Sequence, residues 1–432
     1  MKIAKILSAF ALAVIVSCSS KGGNDDDGRG SDGDLTGWPF DDSREDLQQT
    51  PDLEGLRLEN VIKITYNNGG EPVVNNPYEG DDINTDISGE HVTVWIPALT
   101  ETEYNLVLSG TAKNGSFKIY GDSRMGLYLN GVNITNSNGP AINIQNNKRV
   151  IVHLVKSAQN YLADGTRYAT PPGQEDAKGT FFSEGTLSFE GSGSLEVRAK
   201  ANHAIVTDGH FEMENGKIIV SESANDGIHA NQRIEVKGGV VKITCVGDAL
   251  QNERDFPIKI SGGKVALKTS GVKSHGIASF GYTSINDSTS IPTVQISVSG
   301  NGSKGINSSK YLEFKGGTTA IQVSGTRHIN SNVNPADTSN ASGIKVDYDL
   351  FIEGGELTIK STGDKAKGIS VDGDITMDGG KIDIEADDDG IKVDGDLKVT
   401  GGSGKVTSKK KKAINCKGIC NKGSLNTIDA GL

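Results

Sequence analysis

The stretch ADDDGIKVDGD, Ala386 to Asp396, places five aspartates within eleven residues. Read with Glu385, it nearly fits a twelve-residue calcium loop, with Asp387 and Asp389 as early ligands, Gly390 at the turn and Asp396 closing. Two residue columns contain it. Asp347, Asp372 and Asp394 recur in register, and Asp349, Asp374 and Asp396 follow two residues later as the pairs DYD, DGD and DGD. Ten acidic residues and two lysines lie between Asp372 and Asp396. That density points to metal at Asp347, Asp372, Asp374, Asp389, Asp394 and Asp396, and a solvated, salt-screened stripe is the alternative. Lys367 and the lysines that end at Lys412 flank the patch and neutralise part of it.

A second acidic group lies upstream, in NDGIHAN and GDALQNE. If Asp226 and Asp248 sit on neighbouring turns, their like charges repel, so one takes up a proton or both share a cation. Asn225, Asn231, Asn252 and Glu253 add oxygen donors, and Ca²⁺ accepts six to eight of these. Two solvated aspartates in good Asp-Gly turns would be the plain alternative. The histidines at 203, 229 and 275 read as solvated or hydrogen-bonded turn residues.

The segments that must position these groups are strands. KIDIEA and DLKVT alternate on either side of the acidic stretch, so no helix flanks it. A small residue followed by an apolar one recurs at Ala204-Ile205, Gly227-Ile228, Ala249-Leu250, Gly276-Ile277, Gly305-Ile306, Gly343-Ile344, Gly368-Ile369, Gly390-Ile391 and Ala413-Ile414. The steps are 23, 22, 27, 29, 38, 25, 22 and 23 residues, and double glycines keep the same register. This period, with short strands and turns in each repeat, specifies a solenoid. The leucine and asparagine ladder of leucine-rich repeats is absent. The fold expected is all-β, a right-handed parallel β-helix of roughly ten to twelve coils. Residues one coil apart then lie about 4.8 Å apart, which pairs Glu356 with Lys381 and Lys360 with Glu385. The longer steps carry polar insertions at 282–292 and 325–341, and another spans 157–178.

Composition agrees: 56 glycines, 35% hydrophobic and 5% aromatic residues suit many turns around a thin interior. A net charge of −11 argues against nucleic-acid binding. Residues 1–18 have a signal peptide's layout, two lysines and then an apolar run too short to span a bilayer. Its end, IVSC, resembles a bacterial lipobox, with Cys18 as the acylated residue. Residues 19–51 read as a flexible acidic tether, 52–112 as a β-rich N-terminal cap and 113–432 as the β-helix. Three cysteines remain, Cys245, Cys416 and Cys420, too few for a disulfide framework, although the last two are placed to pair.

The segment NDGIHANQRIEVKGGVVKITCVGDALQNE resembles the core of the carbohydrate-binding β-helix lipoproteins related to calcium-dependent pectate lyases. The resemblance runs from about Tyr104 to the C-terminus. It implies a polysaccharide-binding fold, cellulose or pectic ligands, and calcium at Asp226 and Asp248. Sugar contacts are expected at Arg233, Arg254, Tyr282 and Tyr311. The function expected is a non-catalytic, calcium-stabilised polysaccharide binder, a monomer anchored through Cys18 at the outer membrane and exposed at the cell surface. A calcium-dependent lyase is the alternative, with Arg233, Arg254, Lys259 or Lys304 as its base, and an adhesin or structural spike is the weaker one.

Overall fold

The computed structural model describes residues 53, 61–78, 83–96, 103–173, 175–286 and 290–430. Cys18 and the tether at 19–51 lie outside the described residues. No α-helix occurs among those described; the chain winds as a parallel β-helix. A typical turn contributes three strands, as in Ile228–Ala230, Ile234–Val236 and Val240–Cys245. The first belongs to a 14-stranded sheet and the other two to a 26-stranded one.

The small-apolar dipeptides mark this register. Ile205 pairs with Ile228, and the ladder continues through Leu250, Ile277, Ile306, Ile344, Ile369, Ile391 and Ile414. It also extends back through Phe181, Ile142 and Phe117 to Val92. The solenoid therefore has about 13 turns, more than the period alone indicates. The earliest turns use HVTV and SFKI in place of the small-apolar signature, so the repeat is silent there, while Ala141-Ile142 keeps it. All of these ladder residues are buried. Burying a Leu, Ile or Phe side chain contributes about 1.5–3 kcal/mol, and the stacked column makes that gain at every turn. Phe181, Phe189 and Phe211 widen the interior with aromatic contacts at 5.8 and 5.4 Å.

Within the expected cap, two antiparallel hairpins form, Val61–Asn67 with Gly70–Asn75 and Asn84–Ser88 with Glu90–Trp95. The first closes through Asn68 and Gly69, both at positive φ, the pairing that a tight hairpin turn favours. Its outer strand carries Pro72, which suits an edge because proline has no N–H to donate. The same region already feeds the solenoid, since Val61–Asn67 runs parallel to Tyr104–Ala112.

The double glycines answer two demands. The second residue of each pair is left-handed, as at Gly239 (φ 71°) and Gly380 (φ 74°). The first leaves no room for a side chain: a Cβ on Gly379 would sit 2.0 Å from the Glu353 carbonyl one turn away. The insertion at 325–341 folds into a hairpin, His328–Asn330 with Asp337–Ser339, held by hydrogen bonds between Ser339, Gly302 and Lys304. Cys416 and Cys420 form a disulfide.

Candidate functional site

The turns between sheets place the expected columns in register, and their side chains do specific work. In the column just before the small-apolar dipeptides, four successive residues accept a hydrogen bond from the backbone N–H of the next turn. His203 Nδ1 accepts from Asp226 (3.3 Å), Asp226 Oδ1 from Asp248 (2.8 Å), Asp248 Oδ1 from His275 (2.5 Å) and His275 Nδ1 from Lys304 (3.2 Å). The DGD column behaves likewise: Asp349, Asp374 and Asp396 take the N–H groups of Asp374, Asp396 and Ile419 at 2.8, 2.8 and 2.7 Å. The glycine before each of these donating N–H groups makes room for this. A Cβ on Gly395 would lie 2.1 Å from Asp374 Oδ1. Gly395→Ala should therefore cost about 1–3 kcal/mol, and Asp374→Ala about 1 kcal/mol. Because both act on one contact, the double variant should lose less than the sum in denaturant melts; strict additivity would refute the shared contact.

Asp347, Asp372, Asp394 and the run from Asp387 to Asp389 are paired with lysines. Lys345 Nζ lies 3.1 Å from Asp347 and 2.6 Å from Asp372, while Lys392 and Lys417 approach Asp394 at 2.7 and 2.9 Å. Asp387, Asp388 and Asp389 are all buried. Lys367, itself buried, sits 3.0 and 3.1 Å from Asp388 and Asp389, and Lys411 and Lys410 reach Asp388 and Asp387. The patch expected to hold metal thus has ammonium groups or backbone amides at its carboxylates. That donor environment does not fit calcium at Asp347, Asp372, Asp374, Asp389, Asp394 or Asp396.

Around Asp226 the outcome also differs from the expected oxygen cage. Oδ2 of Asp226 lies 3.0 Å from Nδ1 of both His203 and His229, and His229 Nε2 lies 3.0 Å from Glu253. Asn231 is turned to Asp208, and Asn225 to Asn202. Asn252 is fully buried and holds the carbonyls of Arg254 and Phe256 and the N–H of Phe280. The set is rich in nitrogen, which calcium does not select. The like-charge asymmetry does appear. Burial pushes the Asp226 carboxyl up, but hydrogen bonds from His203 and His229 outweigh this and hold it well below the usual carboxylate range. Burial and then the Asp226 charge push Asp248 up to about 7, so it is the member that takes up a proton more readily. Both line an open groove of about 550 Å³ together with His203, His229, Glu253 and Lys273. The two histidines were legible only as lone turn residues; their one signal is that His203 and Asp226 share a column.

The residues expected to touch sugar gather at a different corner. His210, Arg233, Pro257, Tyr282, Tyr311 and Asp349 occupy successive turns of one column, as the backbone bonds between turns show. Tyr282 and Tyr311 stack at 4.6 Å and 9°, with Lys259 over the Tyr282 ring and Lys310 over that of Tyr348. Arg233 and Tyr282 line one pocket of about 280 Å³ with His210, Glu235, Phe256 and Lys259. Arg233 is ion-paired with Glu212 and Glu235, and Arg254 is exposed on the same turn as Phe256. Exposed Phe256, Phe280 and Tyr348 extend the aromatic surface. Phe256 went unnoticed in the sequence, although it lies in the extra residues of the 27-residue step.

The sequence is similar to those of known proteins. A relative from Acetivibrio thermocellus, a carbohydrate-binding domain-containing protein, is 27% identical over 152 residues, 33% of this chain and 51% of that protein. The chain thus spans about half the length of that relative. A solved structure, the polysaccharide lyase-like protein from C. thermocellum as a gadolinium derivative, aligns over 84% of this chain and 98% of its own at 17% identity, with a TM-score of 0.38. The family model described as carbohydrate-binding domain-containing protein matches residues 88–367, well over half of the sequence. The chain belongs to that family of carbohydrate-binding proteins.

Proposed function

We propose that the protein is a non-catalytic polysaccharide-binding lipoprotein, anchored through Cys18 and displayed at the cell surface, that grips plant-type or acidic glycans at its aromatic corner. The observation that carries this reading is the pocket between Arg233, Phe256, Lys259 and Tyr282, continued by exposed Phe280 and Tyr348. Sugar rings present apolar C–H faces ringed by hydroxyls, so a site of aromatic surface with a few convergent charges suits them. Lysines held over tyrosine rings set positive charge beside that surface, which favours a polysaccharide bearing carboxylates.

The lyase alternative has one observation in its favour. Burial, and then Lys273 and Lys345, lower the Lys304 ammonium to about 8, within reach of a base at neutral pH. Its Nζ, however, is engaged by the Gly302 carbonyl and Ser339 hydroxyl. The discriminating experiment incubates the tether-free chain with insoluble cellulose and with pectate. Retention on glycan with no rise in the ultraviolet absorbance of unsaturated product is expected. Product formation would replace the binder reading with the lyase, and neither retention nor product would leave the adhesin.

A further inference from the structure

We infer that His203, Asp226 and His229 form a site for a divalent first-row transition ion of the zinc class. The inference rests on how closely three donor groups gather. His203 Nδ1 accepts the backbone N–H of Asp226 at 3.3 Å, as His210 does from Arg233 and His275 from Lys304 at 3.2 Å. Asn225 Nδ2 lies 3.4 Å from the other ring nitrogen of His203, Nε2. At His229 the Glu253 carboxylate lies 3.0 Å from Nε2 and holds a proton on that nitrogen, while Nδ1 faces Asp226. Two imidazole nitrogens therefore meet one anionic oxygen, Asp226 Oδ2, at 3.0 Å each. Either protons on the two rings or one metal ion supplies the positive centre that such a group gathers around.

A metal ion can take the place of those protons and bind all three groups at once. The donor atoms lie within 4.8 Å of one another, and Zn–N and Zn–O bonds of about 2.0–2.2 Å call for such a tight cluster. Glu253 behind His229 is the carboxylate–histidine–metal arrangement that fixes a ligand's tautomer. Two imidazoles with one carboxylate select zinc, cobalt, nickel or copper, not calcium or magnesium. Asp226 is buried and His203 half-buried, and both border the open groove, so the remaining coordination positions are available to water or a glycan hydroxyl.

The test titrates chelator-treated full-length protein with Zn²⁺ by calorimetry and with Co²⁺ by visible absorbance. One ion per chain is expected, with a cobalt spectrum of nitrogen ligation and a Zn²⁺-dependent rise in melting temperature. His203→Ala and His229→Ala should abolish stoichiometric binding, and Glu253→Gln should weaken it about 10–100-fold. His328→Ala, on the inserted hairpin, should bind as the parent does. Circular dichroism checks that the variants fold, and the parent titration stands independently of them. The site is refuted if the parent binds neither ion, if Ca²⁺ competes as strongly as Zn²⁺, or if binding survives loss of both histidines.

Discussion

Phe256→Ala combined with Tyr282→Ala should lower affinity for a retained glycan at least thirtyfold while the β-helix stays folded. Truncating a buried anchor at a binding surface costs roughly 2 kcal/mol or more, which is about a thirtyfold change in dissociation constant. Phe256 is exposed and rests edge-on against His210, so its removal opens no cavity. Tyr282 does contribute to the stack with Tyr311, and such a ring pair is worth about 0.5–1.5 kcal/mol. Tyr282→Phe keeps that stack and should retain most of the affinity, which separates sugar contact from framework support. Affinity electrophoresis in soluble glycan measures the change, and thermal melts run alongside. If the double variant binds like the parent, the corner is not the glycan site, and the search moves to other exposed aromatics such as Trp95.

Lys367→Met should destabilise the C-terminal turns by about 3–5 kcal/mol, the usual cost of stranding a buried charge. The ammonium is the shared counter-ion of Asp388 and Asp389, and Asp389 Oδ1 already lacks a hydrogen-bond donor. Adding Asp388→Asn and Asp389→Asn to the Lys367→Met variant should recover much of the loss, because no uncompensated charge then remains. The pH dependence changes sign between parent and variant. Burial pushes the Asp388 carboxyl up, but hydrogen bonds from Lys367 and Lys411 prevail and set it below the usual range. Its contribution in the parent is therefore complete above the unfolded carboxylate value, about 4, and is lost as pH falls through the lower folded value. Without Lys367 the buried carboxyls rise, so the variant should gain stability as pH falls from 7 towards 5. Urea melts at pH 7 and pH 5 measure this, and a variant as stable as the parent at both would overturn the counter-ion role.

Much of the solenoid could be read from the chain because its signal is steric and repeats. Only a small residue fits before the ladder isoleucine, since a Cβ on Gly227 would lie 2.3 Å from Ile243. The Lys381–Glu356 pair followed from register alone and is present at 3.5 Å. Lys360 lies opposite Glu385 as expected, yet Glu385 pairs with Lys409 instead. That difference shows the limit: register fixes which backbones are neighbours, whereas a long side chain chooses among several partners. Lys410 reaches back 46 residues to Asp364 in this way. The acidic columns looked like metal ligands because a spacing of aspartates does not reveal that one carboxylate oxygen is turned towards the next turn's amide. His203 and His229 were legible as residues and not as a pair, because their meeting depends on how Asp226 is oriented between them.

The chain of carboxylates along Asp349, Asp374 and Asp396 also gives the solenoid a direction. Each turn supplies the acceptor for the one that follows it, never for the one before. A polypeptide emerging from its N-terminus therefore finds the cap for each new rung already in place. Shortening the array from its C-terminal side leaves an idle carboxylate, which water solvates readily. Removing turns from the other side strands an amide with no acceptor, so the two ends of the same ladder are not equivalent places to cut.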